Sequence, residues 1–199
     1  MTDNKIITDR EEMLEAVKSN GWVLEYASDT LKADREVVLE AVREYGCYAL
    51  QYADDTLKAD RELVLDAVKI NGDALLFADD TLKADREVVL EAVKRNGKAL
   101  EFADDTLKAD RKVVLEAVRE YGIVLQYADD TLKADREVVI EAVRNLGYAL
   151  QYASDTLKAD REVVLEAIRD YDFGYGGGGL KYASEELQND PELKKLAEG

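Results

Sequence analysis

The chain has no histidine, and only one cysteine (Cys47), one proline (Pro191) and one tryptophan (Trp22) among its 199 residues. Without histidine there is no imidazole base for a Ser-His-Asp or Cys-His arrangement, and zinc sites built on His and Cys lack ligands. A lone cysteine forms no intrachain disulfide, so the fold is not cross-linked. No apolar run is long enough to cross a bilayer, and the opening Met-Thr-Asp-Asn-Lys is too polar for a signal peptide; both features predict a soluble, cytoplasmic protein. Basic residues are few: 27 Lys and Arg against 44 Asp and Glu leave a formal charge of −17. That balance argues against nucleic acid or an anionic membrane as partner and leaves basic or cationic partners open.

What is present is repetition. Asp-Thr-Leu-Lys recurs with threonines at Thr30, Thr56, Thr81, Thr106, Thr131 and Thr156, in steps of 26, 25, 25, 25 and 25 residues. A degenerate copy puts Glu186 in the threonine place after a step of 30. Between copies, an Asp (Asp34, for example) precedes an apolar-periodic run, Arg35-Glu-Val-Val-Leu-Glu-Ala-Val-Arg-Glu-Tyr45, and Gly46 follows. This predicts a helix A of about three turns, capped by the Asp carboxylate and closed by a left-handed glycine. The same caps return as Asp9 with Gly21, Asp60 with Gly72, Asp85 with Gly97, Asp110 with Gly122 and Asp135 with Gly147. A shorter stretch such as Tyr148-Ala-Leu-Gln-Tyr-Ala-Ser154 predicts a short helix B, either ending at a turn capped by Ser or Asp or running on through Leu157.

Two helices in 25 residues cannot bury both apolar faces alone, so neighbouring repeats must stack. The expectation is an all-α fold, an α-solenoid of about seven two-helix repeats of 25 residues with a C-terminal capping helix. It is one repeat domain over 1–199: an N-terminal cap segment 1–9, tandem repeats 10–171, a Gly-rich insertion 172–179, and a last half-repeat with the capping helix over 180–199. Glu12 stands where other copies have Val37, whereas Lys194, Lys195 and Glu198 stand in the places of Val164, Leu165 and Ile168. Hence Val37-type positions should face the preceding repeat and Val38-, Leu39- and Val42-type positions the next. Polar substitution at both ends predicts a complete array and a monomer.

Arg61-Glu-Leu-Val-Leu-Asp-Ala-Val-Lys-Ile-Asn-Gly72 and Ala149-Leu-Gln-Tyr-Ala-Ser154 carry a family likeness. Over nearly its whole length the chain resembles the tandem-repeat family named domain of unknown function 4116. The resemblance implies a repeat fold and no activity. The copies are so alike that recent duplication and consensus design, the latter with no natural ligand, both fit.

Variation concentrates at the A-to-B turn, while Asp-Thr-Leu-Lys-Ala-Asp barely changes. This gives a constant edge and a variable, aromatic-rich one, on which Trp22, Tyr45, Tyr48, Tyr121, Ile123 and Tyr148 are candidate partner-binding residues. Drift at tolerant turns explains the same variation. Aromatics at Tyr26, Tyr52, Phe77, Phe102, Tyr127, Tyr152 and Tyr182 read as packing between repeats. Acidic pairs such as Asp54-Asp55 lack calcium-loop spacing and read as caps. Both length changes fall on the variable edge: one residue near Cys47, itself an incidental thiol, and Tyr171-Asp-Phe-Gly-Tyr-Gly-Gly-Gly-Gly-Leu180. The resulting reading is a non-enzymatic protein-interaction or structural scaffold that needs no cofactor or metal. The alternative is small-molecule or anion binding, or modification, at Phe173, Gly174, Tyr175 and Gly176 within the loop 173–179.

Overall fold

The computed structural model describes residues 6–169 and 178–198. It is an all-α solenoid: seven long A helices, each followed by shorter helical pieces, succeed one another along the described residues. The A helices run Arg10–Ser19, Arg35–Tyr45, Arg61–Ile70, Arg86–Arg95, Arg111–Glu120, Arg136–Asn145 and Arg161–Ile168, and a last helix spans Pro191–Glu198. Each predicted aspartate sits in extended backbone and caps its helix. Asp34 accepts from the amides of Glu36 and Val37, and Asp85 from those of Glu87 and Val88.

The second half of the repeat follows the first of the two readings, a short helix B ended by a turn that Ser or Asp caps, and differs in that helix B is 3₁₀. It holds a 3₁₀ helix (Gly21–Tyr26, Gly46–Tyr52, Gly72–Phe77 and their counterparts) followed by one α-helical turn of Asp-Thr-Leu-Lys (Asp29–Lys32, Asp55–Lys58, Asp80–Lys83). The run-on reading through Leu157 fails for a local reason. Ala53 and Asp54 are extended, with ψ of 153° and 148°, which breaks the helix. Asp54 then starts a new turn, its Oδ1 accepting from the Thr56 amide at 2.9 Å and the Thr56 hydroxyl at 2.6 Å. The second residue of the acidic pair, Asp55, meets Lys58 at 3.1 Å. Those carboxylates are therefore engaged as caps and ion pairs.

The chain divides into two compact units, Met1–Phe102 and Ala103–Gly199. In the first, Val37, Val38, Ala41 and Val42 of one A helix are fully buried with Leu24, Leu50 and Leu75 from the 3₁₀ segments. Successive repeats are joined by backbone as well. The Asp54 amide donates to the Lys32 carbonyl and the Asp79 amide to the Lys58 carbonyl, both at 2.9 Å. Each bond uses a carbonyl that a helix end leaves without an intrahelical partner. Before the first repeat, Ile7 takes the lysine's part: it pairs as an isolated parallel bridge with Ala27, its carbonyl accepting from Ser28 at 2.9 Å. A side-chain ladder runs beside these bonds. Arg10 reaches Asp34 (2.6 Å) and Glu36 (2.5 Å) in the next repeat, and Arg61 reaches Asp85 (2.8 Å) and Glu87 (2.5 Å). At Arg35, the rung beside the inserted residue, the distances are 3.5 and 3.8 Å.

The second unit repeats the scheme. Amides of Asp129, Ser154 and Ser184 donate to the carbonyls of Lys108, Lys133 and Lys158 at 3.0, 2.9 and 2.8 Å. Arg111 meets Asp135 and Glu137, Arg136 meets Asp160 and Glu162, and Arg161 meets Asp190 and Glu192. Arg119 with Glu141 and Arg144 with Glu166, each at 2.9 Å, add a second row. Among the described residues no polar or charged side chain is buried.

The end helices follow the predicted facing. Met13 and Val17 are buried while Glu12 is exposed; Leu193 is buried while Lys194 and Lys195 are exposed.

Candidate functional site

The A-to-3₁₀ turn is built by the residue before the glycine. Asn20, Asn71 and Asn96 lie in extended backbone, ending the helix, and their side-chain oxygens accept from the amides of Trp22, Asp73 and Lys98 at 3.1, 3.0 and 3.0 Å. Asn96 also donates to Asp73 of the preceding repeat at 2.7 Å. Tyr121 and Leu146 hold the same place with no cap of their own. At Tyr121 the following repeat substitutes: Asn145 accepts from the Gly122 amide at 2.6 Å and donates to the Arg119 carbonyl at 2.8 Å.

The glycines are not the left-handed closures that the sequence pattern suggests. Among the described residues only Gly46 has positive φ, at 75°. Gly21, Gly72 and Gly122 are instead required by close approach between repeats. A Cβ on Gly21, Gly72 or Gly122 would lie 2.4, 2.3 or 2.2 Å from the carbonyl oxygen of Ala41, Ala92 or Ala142 in the next A helix. Ala41 and Tyr45 continue the Val37 stripe and face this preceding-repeat glycine, as the facing assignment requires. Gly46 has open space around it, and Cys47, five residues before Tyr52 as Gly21 is before Tyr26, holds the register place of the other glycines. The Cys47 thiol is buried, and burial pushes its pKa up, so the reactive thiolate is disfavoured.

In the first unit three of the candidate residues come together. Trp22 packs edge-on against Tyr45, with ring centroids 5.1 Å apart and planes at 82°, and Tyr45 contacts Tyr48 at 6.4 Å. Trp22, Tyr45 and Tyr48 nevertheless remain 37%, 37% and 51% exposed. Sequence reading missed the rings that complete the patch. The residue after the crowded position reaches the aromatic ladder of the next repeat: Trp22 contacts Tyr52 (5.8 Å, 71°) and Tyr48 contacts Phe77 (6.0 Å, 63°). The ladder does pack between repeats, but Tyr52 and Phe77 are half-buried, not core. The signal was available, since a ring four residues before one ladder aromatic faces the next ladder aromatic. Burial and the charges of Glu25, Tyr45 and Tyr26 raise the Tyr52 phenol's pKa.

In the second unit, Tyr148 forms the same pair with Tyr182 (5.9 Å, 67°) and packs over Gly178, where a Cβ would sit 2.8 Å from the ring. Lys181 lies over both rings, its Nζ 4.7 Å from each centroid. Tyr121 is 38% exposed and Ile123 half-buried. Phe173, Gly174, Tyr175 and Gly176 lie outside the described residues.

Stacked helical repeats with a nearly constant, ion-paired edge and an aromatic, variable one define an α-solenoid repeat protein. The family model for Domain of unknown function (DUF4116) matches in six overlapping segments, 9–58, 44–83, 60–108, 85–133, 110–158 and 135–176. The chain belongs to that family. No curated protein and no solved structure matches it. Among the described residues no helix is long and apolar enough to cross a membrane.

Proposed function

We propose that the chain is a non-enzymatic binding scaffold that holds a protein or peptide on its A-to-3₁₀ turn edge, in the first unit through Trp22, Tyr45 and Tyr48. One observation carries this reading: the three rings form a connected network while each stays more than a third exposed. Rigid aromatics with few rotatable bonds anchor interfaces at low entropic cost. The opposite edge, consumed by the backbone and arginine ladders, has fewer groups left for a partner.

The test is selection of peptides from a displayed library against the full chain, followed by titration calorimetry. A Trp22→Ala, Tyr48→Ala variant that keeps its helical circular dichroism should bind the selected peptides at least about tenfold more weakly, a loss of ~1.4 kcal/mol. Selected peptides whose affinity is the same for variant and wild type would remove this edge as the binding surface.

A further inference from the structure

We infer that the ring cluster around Trp22, Tyr45 and Tyr52 is a seat for the side-chain ammonium of a lysine, free or methylated, supplied by a basic partner. This inference rests on the binding-edge reading and names the chemistry that edge would recognise.

The chain provides its own example. Tyr148 and Tyr182 stand edge-on at 5.9 Å, and the Lys181 ammonium lies 4.7 Å from both centroids. Trp22 and Tyr52 reproduce that pair at 5.8 Å and a similar interplanar angle, 71° against 67°. The residue before the second ring is Lys181 in one case and Gln51 in the other, so the chain supplies no ammonium from that position to Trp22 and Tyr52. The first-unit cluster is also the better site. Tyr45 adds a third ring 5.1 Å from Trp22, indole gives the strongest cation–π face, and the Glu25 carboxylate is close enough for its charge to raise the Tyr52 phenol's pKa. A formal charge of −17 draws a basic partner toward the chain from a distance, and the cage then fixes where one of its cations docks.

Trp22 is the only tryptophan, so its emission reports on this site alone. The full chain is titrated with Nα-acetyl-lysine amide, with its Nζ-trimethylated form, and with the neutral Nζ-acetylated form. Saturable emission changes are expected with the two cationic probes and not with the neutral one. Tyr52→Leu and Glu25→Gln should each weaken the cationic probes by about threefold to tenfold, the span of one exposed-to-buried cation–π or ion-pair contact. Glu101→Gln, an exposed charge-matched control in the same unit, should leave them unchanged. An equal response to the neutral probe, no saturation with the cationic ones, or equal weakening by Glu101→Gln overturns the ammonium seat. The two readings also separate. If a library-selected peptide loses affinity with Trp22→Ala but keeps it when its lysines become norleucine, the edge stands and the seat does not.

Discussion

At the scale of single residues, two different causes call for glycine at the end of the A helix: a close neighbour at Gly21, Gly72 and Gly122, and backbone conformation at Gly46. Gly72 has ordinary backbone angles, but a methyl group there would enter the carbonyl of Ala92 at 2.3 Å, an atom that moves only if the helix moves. Gly72→Ala should therefore destabilise by about 1–3 kcal/mol, as overpacking does, measured as a lower urea midpoint. Gly46 is the opposite case, with open space but φ 75° and ψ −162°, a region essentially reserved for glycine. Gly46→Ala should cost about 1–3 kcal/mol from backbone strain alone. Deleting Gly46 together with Cys47→Gly restores the local sequence pattern of Tyr121-Gly122-Ile123 and the 25-residue spacing. That double change should leave the midpoint no lower than wild type, because it removes the strained residue and returns glycine to the register place of Gly72 and Gly122.

At the scale of the element, the A helix carries two duties at its first turn. Asp85 caps its own helix and receives Arg61 from the repeat before. The guanidinium hydrogen bond, helped by the amides of Val88 and Glu87 and opposed by partial burial, holds the Asp85 carboxyl below its ordinary value. Asp34 and Asp135 are held low in the same way by Arg10 and Arg111. A depressed carboxylate pKa adds stability that is complete above the unfolded value and is lost as pH falls through the folded one. The urea midpoint should thus fall from about pH 4 downward, and Asp85→Asn should flatten that slope. Asp85→Ala, which removes the cap too, should cost about 1 kcal/mol, more than Asp85→Asn, since asparagine still caps. The cap was legible in sequence because Asp before a periodic apolar run has a local cause. The arginine ladder was not, because Arg35 and Asp60 come together only when two repeats stack. The break after helix B was legible through its Ser and Asp caps, but its 3₁₀ form was not, since those residues share apolar spacing with an α-helix. On the candidate edge, Trp22, Tyr45 and Tyr48 were readable as variable aromatics. Their partners Tyr52, Phe77 and Tyr182 were not separated from the ladder, since the pairing crosses from one repeat to the next.

At the scale of the molecule, near-identical repeats make stability a sum of unit and neighbour terms. Deleting 110–134 rejoins Ala109 to Asp135 and recreates Lys-Ala-Asp-Arg. The shortened chain should keep the per-residue ellipticity of the parent and melt at a lower temperature, through loss of one neighbour interface. Circular dichroism with a thermal scan checks both. A collapse of helicity would show that the repeats are not interchangeable.

The bonds from Ser28, Asp54 and Asp79 to the carbonyls of Ile7, Lys32 and Lys58 are main-chain links, independent of side-chain identity, one for each repeat joined to its predecessor. They act as fixed stitches along one margin, so the chain cannot gain or lose a residue there without shifting the register of its neighbours. Among the described residues the opposite margin has no such stitch, and the one-residue step at Gly46 occurs on it. For anyone adding sequence to this array, a foreign loop, tag or epitope belongs after the A helix and never within Asp-Thr-Leu-Lys-Ala-Asp.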